Sequence, residues 1–169
     1  MAPTLYDREV KPGDLIEICR GVYQHWAVYI GGNEVVHLFP PGADDSELAG
    51  WTAMLDSSTA EVRRQKLSKV VGPDNFHINN LLDHKYEPRE RHIIVRDACM
   101  LVGRTLPYNI ATHNCEHFVT ELRYGKAESR QIKQAAVVMG VGAAAVAAVA
   151  VLGAALFSAF NNDDEEEED

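Results

Sequence analysis

The 169-residue chain is long enough for one modest domain with its own core, and its 25 acidic and 16 basic residues give a formal net charge of −9. Seven of those acids form one terminal run, Asp163 to Asp169, and without it 18 acidic residues face 16 basic ones. The body is therefore near neutral, with no basic surface suited to nucleic acid. Three cysteines, Cys19, Cys99 and Cys115, with no CxxC pair, argue against a disulfide scaffold or a thiolate zinc site and suit a reducing compartment.

The N-terminus, MAPTLYDREVKPGD, lacks the apolar core of a signal peptide. After the Pro12-Gly13-Asp14 turn, Leu15 to Cys19 reads as a strand. His25 to Ile30 reads as a second strand and Glu34 to Phe39 as a third, joined by a Gly31-Gly32-Asn33 hairpin loop. Residues 43–60 read as a loop, with Trp51 and Met54 packing down. Glu61 to Val71 is strand-like but heavily charged, which suggests an exposed or edge strand. Residues 72–90 are polar and turn-rich. Ile93, Ile94, Cys99, Leu101 and Val102 fit a helix closed by Gly103. Phe118, Val119 and Leu122 give a last helical stripe, with Asn114 to cap its start and Gly125 to close its end. Strands first and helices after imply an α+β domain.

A composition shift follows. Ala135 to Phe160 is an uncharged run of 26 residues, long enough to span a hydrocarbon core as a helix. Gly140, Ala144 and Ala148 form a small-xxx-small row that permits helix pairing, and so protein partners, in the membrane. Lys126, Arg130 and Lys133 precede the run and only acids follow it, so the body is expected in the cytosol. The acidic tail reads as a solvated end.

Cys115 is the first chemical candidate. Just after the Asn114 cap it would meet unpaired backbone N–H groups and a positive helix end, which favour a thiolate. The same amides could hold an acyl oxyanion. Cys19 and Cys99 are better explained as core. A thiol nucleophile needs a base. With a three-residue loop, His37 lies opposite Ala27, so His25 and His37 become diagonal neighbours on one face. One imidazole could take the thiol proton while the other orients it; a different register would part them, and packing alone would also explain two strand histidines. His113 and His117, four apart, would share a helix face as a possible metal pair. No other ligand cluster is evident, so no metal or cofactor is expected. Glu116 suits the helix N-terminus electrostatically, and His77, His84 and His92 read as surface residues of polar loops.

Asn114-Cys115-Glu116-His117-Phe118-Val119-Thr120, followed by Leu122-Arg123-Tyr124-Gly125, closely resembles the signature of the lecithin:retinol acyltransferase group, and most of all its phospholipase A/acyltransferase (H-rev-like) branch. Pro12 to Glu17, Tyr23 to Ala27 and Val70-Val71-Gly72 are further blocks in the same order. The resemblance implies a permuted papain-like cysteine hydrolase fold, in which the base precedes the nucleophile in the chain. By that pattern Cys115 is the nucleophile, His25 the base and His37 the third polar member. It implies calcium-independent phospholipase A1/A2 and acyltransferase activity on glycerophospholipids, including N-acylation of phosphatidylethanolamine. An N-terminal hydrophobic segment, as in the retinol acyltransferase proper, is absent from this sequence, which favours the phospholipase branch; the seven-acid tail lies outside the family pattern.

The expected layout is a catalytic domain over 1–125, a basic linker over 126–134, a transmembrane anchor over 135–160 and an acidic tail over 161–169. The expected location is an intracellular membrane, crossed once with the catalytic domain cytosolic, alongside a cytoplasmic pool. Side chains of Tyr23 or Gln24 are candidates to assist at the oxyanion. The rival readings are a cysteine peptidase with the same dyad and a tail-anchored adaptor.

Overall fold

A computed structural model describes residues 10–21, 23–41, 53 and 57–130. The chain divides into two units, 1–128 and 129–169, and the first holds all the named elements. These are β1 (Leu15–Cys19), β2 (Gln24–Gly31), β3 (Glu34–Phe39), β4 (Thr59–Lys66), α1 (Leu67–Val71), β5 (Phe76–Ile78), α2 (Arg91–Leu101), β6 (Thr105–Pro107) and α3 (Cys115–Tyr124). The domain is α+β, but helices and strands interleave after β4 instead of following one another in two blocks. The segment Ala135–Phe160 and the residues Trp51 and Met54 lie outside the described residues. Among the described residues no helix is long and apolar enough to cross a membrane.

All strand pairs are antiparallel, in the order β5-β1-β2-β3-β4-β6. Side chains alternate across each strand, and the two faces bury different sets. Leu15, Trp26, Val28, Val36, Leu38, Ala60 and Val62 join Ile94 and Ala98 of α2 and Phe118, Val119 and Leu122 of α3 in one cluster. Ile16, Ile18, Ala27, Tyr29 and Val35 on the reverse face pack with Leu67, Val70 and Val71 of α1.

Two strand assignments need correcting. The charged stretch Glu61 to Val71 is not one edge strand. Its first part is β4, interior between β3 and β6, where Ala60 and Val62 face the core and charged residues alternate with them. From Leu67 the apolar period changes from two to the i, i+3, i+4 spacing of a helix. The polar stretch 72–90 also contributes β5, a strand of three residues on the open side of β1. The two true edges, β5 and β6, are both this short, which limits their capacity to pair with other chains.

The hairpin loop is shorter than the three residues expected, yet the register is the expected one. Gly32 and Asn33 form the turn, both with positive φ (60° and 58°), and Gly31 pairs with Glu34. A bulge between Tyr29 and Gly31 then supplies the missing residue, so Ala27 still lies opposite His37.

Helix α3 is fastened to the sheet through a buried cation. Arg123 is 2% exposed; its guanidinium donates to both carboxylate oxygens of Asp83 (3.1 and 3.0 Å) and to the carbonyl of Gly13 (2.8 Å). The Tyr124 hydroxyl donates to Asp83 (2.7 Å). Asp14 accepts from Arg91 (2.8 Å), Asn80 (3.2 Å) and the Lys11 amide (2.9 Å). The Pro12-Gly13-Asp14 turn is thus where α2, α3 and β1 are tied together. Gly13 has φ +91°, and a Cβ there would stand 3.3 Å from Ile94 Cδ1, so glycine suits both the turn and the packing.

Removing one member of a buried ionic network leaves the others desolvated. Arg123→Met should therefore lower unfolding stability by about 3 kcal/mol, read from the denaturant midpoint. Asp83→Asn should cost about 1 kcal/mol or less, because the Asp83 side chain is 43% exposed and water screens it.

Candidate active site

Cys115 is the first residue of α3 and is 1% exposed. Its position is set by a capping box. Asn114 Oδ1 accepts from the backbone amides of Glu116 (3.0 Å) and His117 (3.1 Å), while the Asn114 amide donates to His117 Nδ1 (3.3 Å). Asn114 Nδ2 also donates to the Ile110 carbonyl (2.8 Å), which holds the cap against the preceding loop. Gly125 closes the helix in the left-handed region at φ 69°.

This cap revises two expectations. The first-turn amides of Glu116 and His117 are taken up by Asn114, which leaves the amide of Cys115 itself as the first-turn candidate for an oxyanion. His113 and His117 do not form a metal pair on one face: His113 precedes the cap, is exposed and contacts Thr112 Oγ1 (2.9 Å), and His117 Nδ1 is engaged in the box. Among the described residues no group of three or more His, Cys, Asp or Glu side chains converges as a metal site. Glu116 is fully buried. Cys19 and Cys99 are half-buried. His77 and His92 are exposed but lie in β5 and α2, not in loops; His77 meets Glu17 at 2.9 Å.

His25 and His37 come together as the register requires. His25 Nε2 and His37 Nδ1 are 3.0 Å apart, with ring centroids at 5.1 Å and planes nearly perpendicular. Both are buried. A further partner, absent from the sequence reading, continues the line: His37 Nε2 lies 2.7 Å from Gln65 Oε1 on β4. Burial lowers the pKa of His25 well below the usual histidine value, with His37 and Arg20 adding to it. Burial likewise brings His37 down to about 4, although the Gln65 bond opposes the shift. Both imidazoles are neutral at physiological pH.

The alternation of β2 puts His25 on the face of Ala27, whereas α3 covers the face of Trp26. The thiol reaches β2 at its first residue, ahead of the Ala27–His37 pair with which β2–β3 pairing begins. There Cys115 Sγ donates to the Gln24 carbonyl at 3.7 Å. Burial pushes the Cys115 thiol up to about 12; the Trp26, Glu116 and Cys115 amides pull the other way, and the Glu116 carboxylate adds to the rise. This rise opposes the thiolate that the helix position favours. Desolvation of the charged form outweighs the helix dipole. Tyr108, nearby, is 3% exposed with its hydroxyl lacking a hydrogen-bond partner; burial, and then the Cys115 charge, raise its pKa.

Residues 8–128 match the family described as lecithin retinol acyltransferase. The chain belongs to that family. It is 46% identical to phospholipase A and acyltransferase 4 of Homo sapiens over 137 residues, covering 81% of this chain and 84% of the relative. It is 45% identical to phospholipase A and acyltransferase 2 of Homo sapiens over 143 residues, 83% and 87% of the two chains. With phospholipase A and acyltransferase 3 of Mus musculus it shares 41% over 154 residues, 88% and 91%.

A thiol at about pH 12 in its titration has no thiolate plateau at neutral pH. Alkylation of Cys115 should keep rising with pH through 9 and 10, followed by mass spectrometry of the modified peptide. A curve that levels off near pH 7 would show a stabilised thiolate instead.

Proposed function

We infer that this chain is a phospholipase A and acyltransferase that works through a cysteine thioester. The observation that supports it most is the placing of Cys115 at the capped start of α3, against the strand that carries His25, in a chain of this family. As Cys115 Sγ attacks an acyl ester carbonyl of a glycerophospholipid, its proton passes to neutral His25. His37 orients that imidazole and shares its developing charge. The Cys115 amide stabilises the oxyanion. The lysophospholipid leaves with the proton, and the acyl group stays on sulfur. Water then releases a fatty acid, or an amine such as that of phosphatidylethanolamine takes the acyl chain. General-base help of this kind contributes about 10²–10⁴-fold. The arrangement fits a permuted papain-like hydrolase, with the base ahead of the nucleophile in the chain.

We further propose the layout of a catalytic domain over 1–125, a basic linker over 126–134, an anchor over 135–160 and an acidic tail over 161–169. The uncharged run and its basic flank support it, with the catalytic domain on the cytosolic side of an intracellular membrane. A tethered domain meets bilayer substrate at high effective concentration.

Incubating the protein with labelled phosphatidylcholine should add one fatty acyl mass to Cys115, removable by neutral hydroxylamine. Cys115→Ser should lose both hydrolysis and transfer while melting unchanged. Acyl mass from a peptide substrate and none from the lipid would favour a peptidase.

Deleting residues from 135 onward should release the protein from membranes. It should keep cleavage of dispersed lipid and lose most activity on intact vesicles. A truncation that still pellets with membranes would refute the anchor.

A further inference from the structure

Gln65 stands at the end of a line of three side chains from three adjacent strands, and each contact in that line constrains the next. An amide oxygen only accepts. In the 2.7 Å contact with Gln65 Oε1, the His37 Nε2 atom must therefore carry the proton. A neutral imidazole has one N–H, so His37 Nδ1 presents a lone pair. The 3.0 Å contact then requires that His25 Nε2 be the donor. His25, neutral as well, is left with its lone pair on Nδ1. Gln65 is half-buried on β4, two residues beyond Arg63, the residue opposite His37.

We propose that Gln65 is a positioning residue that sets the tautomers of His37 and His25, so that His25 Nδ1 is the atom that receives the Cys115 proton. The proposal rests on the base assignment made above and extends it. The thiol proton moves from sulfur to His25 Nδ1 as the sulfur–carbon bond forms. The resulting imidazolium keeps its Nε2–H on His37, and the Gln65 oxygen stabilises the charge through His37. On collapse of the tetrahedral intermediate the Nδ1 proton goes to the departing alkoxide oxygen of the lysophospholipid. A donor in place of the Gln65 oxygen would reverse the chain, and a proton would occupy His25 Nδ1 before catalysis. A second imidazole alone does not orient a base, because a free imidazole accepts either tautomer.

The test uses the full chain carrying Gln65→Leu, Gln65→Lys or Gln65→Glu, with His25→Ala as reference. Hydrolysis of phosphatidylcholine in mixed micelles gives kcat, KM and their pH profiles, and imidazole 15N spectra report the tautomers. Gln65→Leu should lower kcat by about 10–100-fold with KM unchanged, within the range of general-base effects. Gln65→Lys, a donor, should lose at least as much. Gln65→Glu keeps an acceptor, so it should rescue the rate at pH 8 and move the acid limb to higher pH, since a carboxylate favours the charged imidazole. In the wild type both histidines should show the Nε2–H form, and Gln65→Leu should mix the two forms. Wild-type kcat and pH profile in both Gln65→Leu and Gln65→Lys would overturn the proposal, as would a loss of rate with unchanged tautomers. If those variants behave as wild type while His25→Ala is inactive, only the role of Gln65 falls. An active His25→Ala would remove the base assignment itself.

Discussion

The register of the β2–β3 hairpin is the constraint from which the site follows. Side chains alternate across a strand, so a slip of one residue would send His37 to the opposite face from His25. The chain holds the register with two devices that offset each other, a two-residue turn at Gly32-Asn33 and a bulge between Tyr29 and Gly31. Either alone would place Val36 or Leu38 where His37 stands. A separate register, that of β3 with β4, brings Gln65 to His37. The polar line thus joins a pair set by local turn geometry to a third member set by the pairing of a distant strand.

The thiol arrives from the other side of the sheet, by separate means. Asn114 fixes where α3 begins, and Arg123 at its far end fixes where it lies, through Asp83 and the Gly13 carbonyl. Cys115 is thereby held against the start of β2. The Pro12-Gly13-Asp14 block and the Arg123-Tyr124 pair stand out in the sequence as family signatures beside the candidate catalytic residues. Arg123 joins the two through the Gly13 carbonyl, and Asp83 holds both Arg123 and Tyr124, so these residues secure the frame of the candidate site.

Local patterns made much of this legible. The hairpin signal, the Asn114 and Gly125 caps and the apolar stripe of α3 rest on short-range chemistry, so the first three strands and the last helix could be read with nearly correct ends. The His25–His37 meeting was legible for the same reason, although the expected loop was wrong in detail. What escaped depended on distant partners. Gln65 acquires meaning only when β4 is laid against β3, across a connection whose length says nothing about register. The charged look of β4 suggested an edge because its apolar residues, Ala60 and Val62, are few; the small strand β6 covers it nonetheless. The environment of the thiol was not legible either. Helix position is visible in a sequence, whereas full burial, the largest cause that raises the thiol's pKa, is a property of the packed whole.

The neutral resting pair bears on how the protein survives in a cell. Peroxide and electrophiles attack thiolates far faster than thiols. A cysteine that is enclosed, protonated and hydrogen-bonded to a backbone carbonyl gives them little to react with. In the mechanism proposed above, its nucleophilicity emerges as the proton leaves for His25. On that reading, chemical reactivity is tied to occupancy of the site, and burial shields the thiol between turnovers.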